Sequence, residues 1–88
     1  MRVARGRARR KTAVQIRFEI LEFLRYAGPT PRTHLWRRAT TLAYDDFLKH
    51  LNHLMERGLV EEDENGCRLT PKGRKVYDEL KDSLPAIF

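Results

Sequence analysis

Apolar residues between Thr12 and Ala27 recur at helical spacing: Val14, Ile16, Phe18, Ile20, Leu21, Phe23 and Leu24. Projected on a helix they span roughly 220°, interrupted by Arg17, where a single core-facing stripe needs only about 100°. Ile16, Ile20, Phe23 and Leu24 form one side, and Val14, Phe18 and Leu21 the other. One side must meet the domain core. The other requires the C-terminal helix or a second subunit. Thr12 can cap this helix, and Gly28-Pro29 stops it near Ala27.

Thr30-Pro31 repeats the cap-plus-proline signal and opens a short helix over about residues 31–39, with Leu35, Trp36 and Ala39 facing inward. Thr40, Thr41 and Leu42 make a tight turn into a helix over residues 43–57. There Phe47, Leu48, Leu51, Leu54 and Met55 centre on one side, Leu51, Leu54 and Met55 being spaced i, i+3, i+4. Gly58 stands at the position after the helix where φ turns positive, which glycine adopts without steric cost. Leu59 and Val60 begin an extended segment. Asn65-Gly66 is a hairpin signal, because a type I′ turn needs φ > 0 at both central residues. Thr70 caps a last helix with Pro71 in its first position. That helix carries Val76, Tyr77, Leu80 and Leu84 and ends near Pro85, with Ile87 and Phe88 beyond.

Two helices joined by three or four residues, the second longer and amphipathic, follow the helix-turn-helix plan. With the hairpin and the capped helix behind them, the elements predict a winged helix-turn-helix. The class is mainly α with a small β-hairpin (α+β), in the order helix, helix, helix, strand, strand, helix. The chain has 88 residues, enough for one domain with one modest core. It has no apolar run long enough to cross a membrane. No apolar stretch follows the basic N-terminus, so it does not read as a secretory signal. A lone Cys67 excludes an internal disulfide and fits a reducing, cytoplasmic setting.

Charge divides the chain in two. Residues 1–11 hold Arg2, Arg5, Arg7, Arg9, Arg10 and Lys11 and no acid, six of the 18 basic residues. Residues 12–88 therefore balance 12 bases against 12 acids, and the net charge of +6 belongs to the arm. A segment so rich in like charge lacks the apolar surface to order itself, and a polyanion is its natural partner. The plainer reading is a solubilising tail. Residues 1–11 are thus expected to be a mobile basic arm and residues 12–88 the folded domain.

The segments RTHLWRRATTLAYDDFLKHLNHLMERGLV and CRLTPKG carry a resemblance to small archaeal winged-helix DNA-binding proteins and, more distantly, to the MarR and PadR regulators, over about Thr12 to Leu80. The resemblance implies a homodimer that binds double-stranded DNA, with residues 43–57 as recognition helix and residues 59–70 as wing. Relatives often place Ser or a similar cap before the Tyr of that helix. Here the residue is Ala43, so Thr41 or the backbone must serve. Some relatives extend the last helix into a long coiled coil, which this chain does not match.

In a helix-turn-helix the N-terminal turns of the second helix reach base edges. That selects Thr40, Thr41, Asp45, Lys49 and His53, with Tyr44 at the edge of the face. Lys49 could contact guanine, and Asp45 could accept from cytosine. Asp46, and on a second reading Asp45, complements the helix N-terminal dipole. Arg32 and Arg68 complete the DNA-facing set. The wing is acidic, with Glu61, Glu62, Asp63 and Glu64 before the turn and Arg68 alone after it. Solvated faces with charge protecting an edge strand is its plain account; repelling DNA, pairing with the arm or facing a protein partner are the others. Arg5-Gly6-Arg7 resembles the centre of an AT-hook without its flanking prolines, and an Arg arm suits a narrow minor groove.

His34, His50, His53 and Cys67 lack the paired spacing of a metal site, so no metal or cofactor is expected. There is no phosphate-binding glycine loop and no nucleophile beside an oriented base. Asp45 and Asp46 are adjacent and diverge on the helix, so they form no catalytic pair. An enzyme is not expected. Three functions remain: a dimeric regulator or small chromosomal protein associated with the nucleoid, an RNA-binding winged helix near the ribosome, or a protein-docking winged helix using its acidic wing. The surplus apolar surface predicts a homodimer through the first and last helices, with Val14, Phe18, Leu21, Leu80 and Leu84 in contact.

Overall fold

A computed structural model of the chain describes residues 11–87, with side chains described as far as Ser83. The expectations for Arg2, Arg5, Arg7, Arg9, Arg10 and the Leu84 side chain lie outside it. The elements are α1 (Ala13–Ala27), α2 (Arg32–Ala39), α3 (Tyr44–Glu56), β1 (Val60–Asp63), β2 (Gly66–Leu69) and α4 (Pro71–Ile87). This is the expected order, mostly helical with one antiparallel hairpin.

Local chemistry sets most boundaries. Thr12 and Gln15 form a reciprocal capping box: Thr12 Oγ1 accepts from the Gln15 amide at 3.1 Å, and Gln15 Oε1 accepts from the Thr12 amide at 2.9 Å. At the end of α3 the Gly58 amide donates to the Met55 carbonyl and the Leu59 amide to that of Leu54, both at 3.0 Å. With Gly58 at φ 75° this is a complete Schellman motif. Thr70 Oγ1 accepts from the Gly73 amide at 2.9 Å and caps α4. A Cβ on Gly73 would lie 2.0 Å from the Leu59 carbonyl oxygen, so only glycine lets α4 pack this closely on the chain leaving α3. Helix α4 continues to Ile87, past Pro85.

Two expectations are corrected. Thr30 does not cap α2, whose N-cap is Pro31 with no side-chain bond. Thr30 instead pairs with Cys67, donating its amide to the Cys67 carbonyl at 2.9 Å and accepting the Cys67 amide at 2.8 Å. It thus adds a one-residue third strand beside β2, a long-range pairing that no local signal announces. The hairpin is also not a type I′ turn on Asn65-Gly66. Asp63 pairs with Gly66, so Glu64 and Asn65 are the central residues, and no described non-glycine residue has positive φ. Asp63 Oδ1 accepts from the Asn65 amide at 2.8 Å and braces the turn. Gly66 has φ 115°, and a Cβ there would meet the Thr30 carbonyl carbon at 2.5 Å. Glycine is required where the third strand crosses the turn.

The core joins Ile20, Leu21 and Leu24 of α1 to Leu35, Phe47, Leu51, Leu54, Val60, Cys67 and Tyr77. Leu51 and Leu54 are buried as expected. Burial raises the Cys67 thiol to about 11, which keeps it protonated and unreactive. Both apolar sides of α1 are used within the chain. Phe18 stacks on Tyr77 of α4 with centroids 5.1 Å apart, and Leu21 is only 2% exposed. Leu21, expected at the dimer contact, belongs to the core cluster of its own chain and offers almost no surface to a second subunit. Val14 remains 57% exposed. Among the described residues no helix is long and apolar enough to cross a membrane.

Candidate nucleic-acid interface

The turn between α2 and α3 is held by Trp36. Its indole Nε1 donates to the Leu42 carbonyl at 2.7 Å, and its ring meets Tyr44 edge-on with centroids 5.1 Å apart. Thr40 Oγ1 donates to the Trp36 carbonyl at 2.8 Å and accepts from the Leu42 amide at 3.4 Å. Thr40 is thereby occupied in shaping the turn, and half-buried Tyr44 in packing on Trp36 and Phe47. Thr41 is exposed. Helix α3 starts at Ala43 without a side-chain cap, so neither Thr41 nor another hydroxyl serves there. Asp45 and Asp46 sit in its uncapped first turn, where carboxylates offset the unpaired amides.

Lys11, Thr40, Thr41 and Lys49 line one concavity of about 620 Å³, with Glu19, Asp46 and His50 also in its wall. Lys11, the last residue of the basic N-terminal segment, thus stands beside the helix-turn-helix turn. Lys11 pairs with Glu19 at 2.7 Å. The Lys49 side chain is 80% exposed, with Asp46 at 3.9 Å. His53 does not join this group. It lies along a groove on another side of α3, with Arg17, Phe18 and Arg57. His50 is half-buried, and its Nδ1 accepts from Arg17 Nε at 3.2 Å. Burial first, then the Arg17 charge, lowers its pKa below the usual 6.5.

The wing behaves differently from the turn. Glu61 and Arg68 are cross-strand partners and pair at 2.9 Å, and Arg68 also reaches Asp63 at 3.5 Å. Glu62 pairs with Arg32 of α2, chiefly raising the Arg32 pKa through that bond. Arg32 and Arg68, expected to face DNA, are instead paired with the wing's own acids. The cations that α2 leaves open are Arg37 and Arg38, both exposed and without an acid in ion-pairing range among the described residues. Arg37 lies over the Trp36 ring at 5.5 Å. Neither stands out in the sequence, where the pairing of Arg32 across 30 residues cannot be read. Their position two and three residues before Thr40 was the available signal.

A family model described as winged helix-turn-helix matches residues 9–85. The chain belongs to that family. No curated protein matches the chain. Membership in the winged helix-turn-helix family supports DNA binding. Within the family plan α2, the turn and α3 form the helix-turn-helix, and β1–β2 the wing.

Proposed function

We propose that this winged helix-turn-helix protein binds double-stranded DNA as a regulator or small chromosomal protein. Helix α3 lies in the major groove, and the Arg-rich arm tracks phosphates or the adjacent minor groove. The observation that carries the reading is the shared concavity of Lys11, Thr41 and Lys49, flanked in sequence by Arg37 and Arg38. It sets the start of the arm beside the elements that would read bases. Residues 1–10 fully extended span at most about 35 Å, enough to reach a neighbouring groove. Lys49 and Thr41 are the base-edge candidates, with Asp45 beside them. Arg2, Arg5, Arg7, Arg9, Arg10, Arg37 and Arg38 supply phosphate contacts, and Lys11 joins them when DNA draws it from Glu19.

The arm replaces the wing as the second contact, since the wing's carboxylates already hold Arg32 and Arg68. The same pairing weakens the reading of the wing as a docking site for a basic protein. Two chains would read two half-sites about 34–36 Å apart. A cytoplasmic, nucleoid-associated protein follows from this function.

Fluorescence anisotropy with a labelled random-sequence duplex and a matched RNA tests the proposal. The duplex is expected to bind more tightly, and Lys49→Gln with Thr41→Ala to weaken it. Preference for RNA, or indifference to both substitutions, would contradict it.

A further inference from the structure

One groove on the domain is not used by the DNA-facing surface. It runs between α1, the C-terminal end of α3 and α4, with a volume of about 370 Å³. Val14, Phe18, Leu59, Val76 and Leu80 supply its apolar walls, over buried Leu21 and Leu54. Arg17, Arg57 and Lys72 line it too, together with His53, and no acidic side chain does so among the described residues.

That charge is not balanced within the groove. Elsewhere on the domain Lys11 meets Glu19, Arg25 meets Asp78, Lys49 meets Asp46, and Arg32 and Arg68 meet the wing's acids, while Arg37, Arg38, Arg74, Lys75 and Lys81 stand without a carboxylate partner among the described residues. Arg17, Arg57 and Lys72 have no such partner among the described residues. Arg17 donates to the neutral His50 ring at 3.2 Å, and Lys72 Nζ to the Arg57 backbone carbonyl at 3.0 Å. Neutral acceptors hold two of these side chains, and their charge is left uncompensated beside an apolar lining.

Volume, lining and charge together fit a ligand with an apolar body and one anionic head. We propose that the groove binds a small amphipathic carboxylate, its hydrocarbon on Phe18, Val76 and Leu80 and its carboxylate between Arg57, Lys72 and Arg17. A second copy of the chain is a poorer occupant. Twofold apposition of the groove would set these cations against their own counterparts. A DNA phosphate would satisfy the cations and leave the apolar lining in water. Because His53, Leu54 and Arg57 belong to the last turn of α3 and its cap, an occupant touches the recognition helix directly. Coupling to DNA would rest on the proposed DNA-binding function. Occupancy itself does not.

The test is titration of the full chain with sodium octanoate and with octanamide, followed by calorimetry and amide NMR shifts. Octanoate is expected to bind saturably at one site per chain and to shift amides of α1, α4 and residues 53–59. Octanamide, and the Arg57→Gln/Lys72→Gln chain with octanoate, are expected to bind at least about tenfold more weakly. Leu80→Glu should abolish binding while the folded amide spectrum is retained. Equal affinity for the two probes, or no saturable binding, would overturn the proposal. So would a dimer in sedimentation that Leu80→Glu dissociates, which assigns the groove to a second copy. A weaker salt dependence of DNA binding in Arg57→Gln/Lys72→Gln, with octanoate affinity unchanged, would assign the cations to phosphate and overturn it as well. Octanoate binding without any effect on DNA affinity would leave the site standing and remove only its coupling to DNA.

Discussion

His50, Gly73 and Gly66 show how single residues tie the recognition helix and wing to the rest of the domain. His50 can accept from Arg17 only while neutral, and its pKa is lowered by burial and by Arg17, against the opposing charge of Asp46. A lowered folded pKa means that the unfolded chain binds the proton more readily. The resulting stability is present above about pH 6.5 and is lost as pH falls below it. Denaturant melts between pH 7.5 and pH 5 are therefore expected to weaken more steeply for the parent than for His50→Asn, whose amide oxygen can accept without titrating. Parallel profiles would remove His50 from the account. At Gly73 the Leu59 carbonyl leaves no room for a methyl group, and Gly73→Ala is expected to lose about 1–3 kcal/mol in the same assay. Gly66 was legible only as a turn residue. Its actual constraint, the passing Thr30 backbone, comes from a partner 36 positions away in the chain and leaves no local mark.

Among the elements, the helices and their ends were readable because caps and glycines act over a few residues. Thr12, Gly28, Gly58 and Thr70-Pro71 each mark a boundary by satisfying or ending a local set of backbone bonds. The third strand at Thr30 and the pairing of Arg32 with Glu62 were not readable, since each joins residues about 30 or more apart. That pairing redistributes the DNA-facing cations. Arg37→Gln and Arg38→Gln are each expected to reduce the salt slope of duplex binding by about 1, and Arg32→Gln to change it little. Glu62→Gln should release Arg32 and steepen the slope. The reverse ranking, with Arg32 dominant, would show that DNA opens the wing contact. Leu51→Ala, at the buried face of α3, is expected to destabilise by about 2–5 kcal/mol. A loss under about half a kilocalorie would mean that α3 presents a different face to the core.

For the whole molecule, the surplus of apolar surface on α1 was correctly sensed from the sequence, but its destination was only partly legible. Periodicity shows that a second face must be covered and is silent on what covers it. Here Tyr77 of α4 takes Phe18 and the core takes Leu21, which leaves less surface for a second subunit than the sequence suggested. Charge segregation was fully legible, because it needs only counting: a neutral domain and an arm carrying the whole net charge of +6. We propose that this arm, rooted beside the helix-turn-helix turn, supplies most of the grip on duplex DNA. The direct measurement is the salt dependence of duplex affinity for the full chain and for residues 12–88. Neutralising about six phosphates per chain predicts a log–log slope near −5 from the arm alone. Removing residues 1–11 should flatten the slope by most of that amount while preserving the folded domain and any preference among duplex sequences. A slope unchanged by the deletion would contradict the account and place the phosphate contacts on the domain itself.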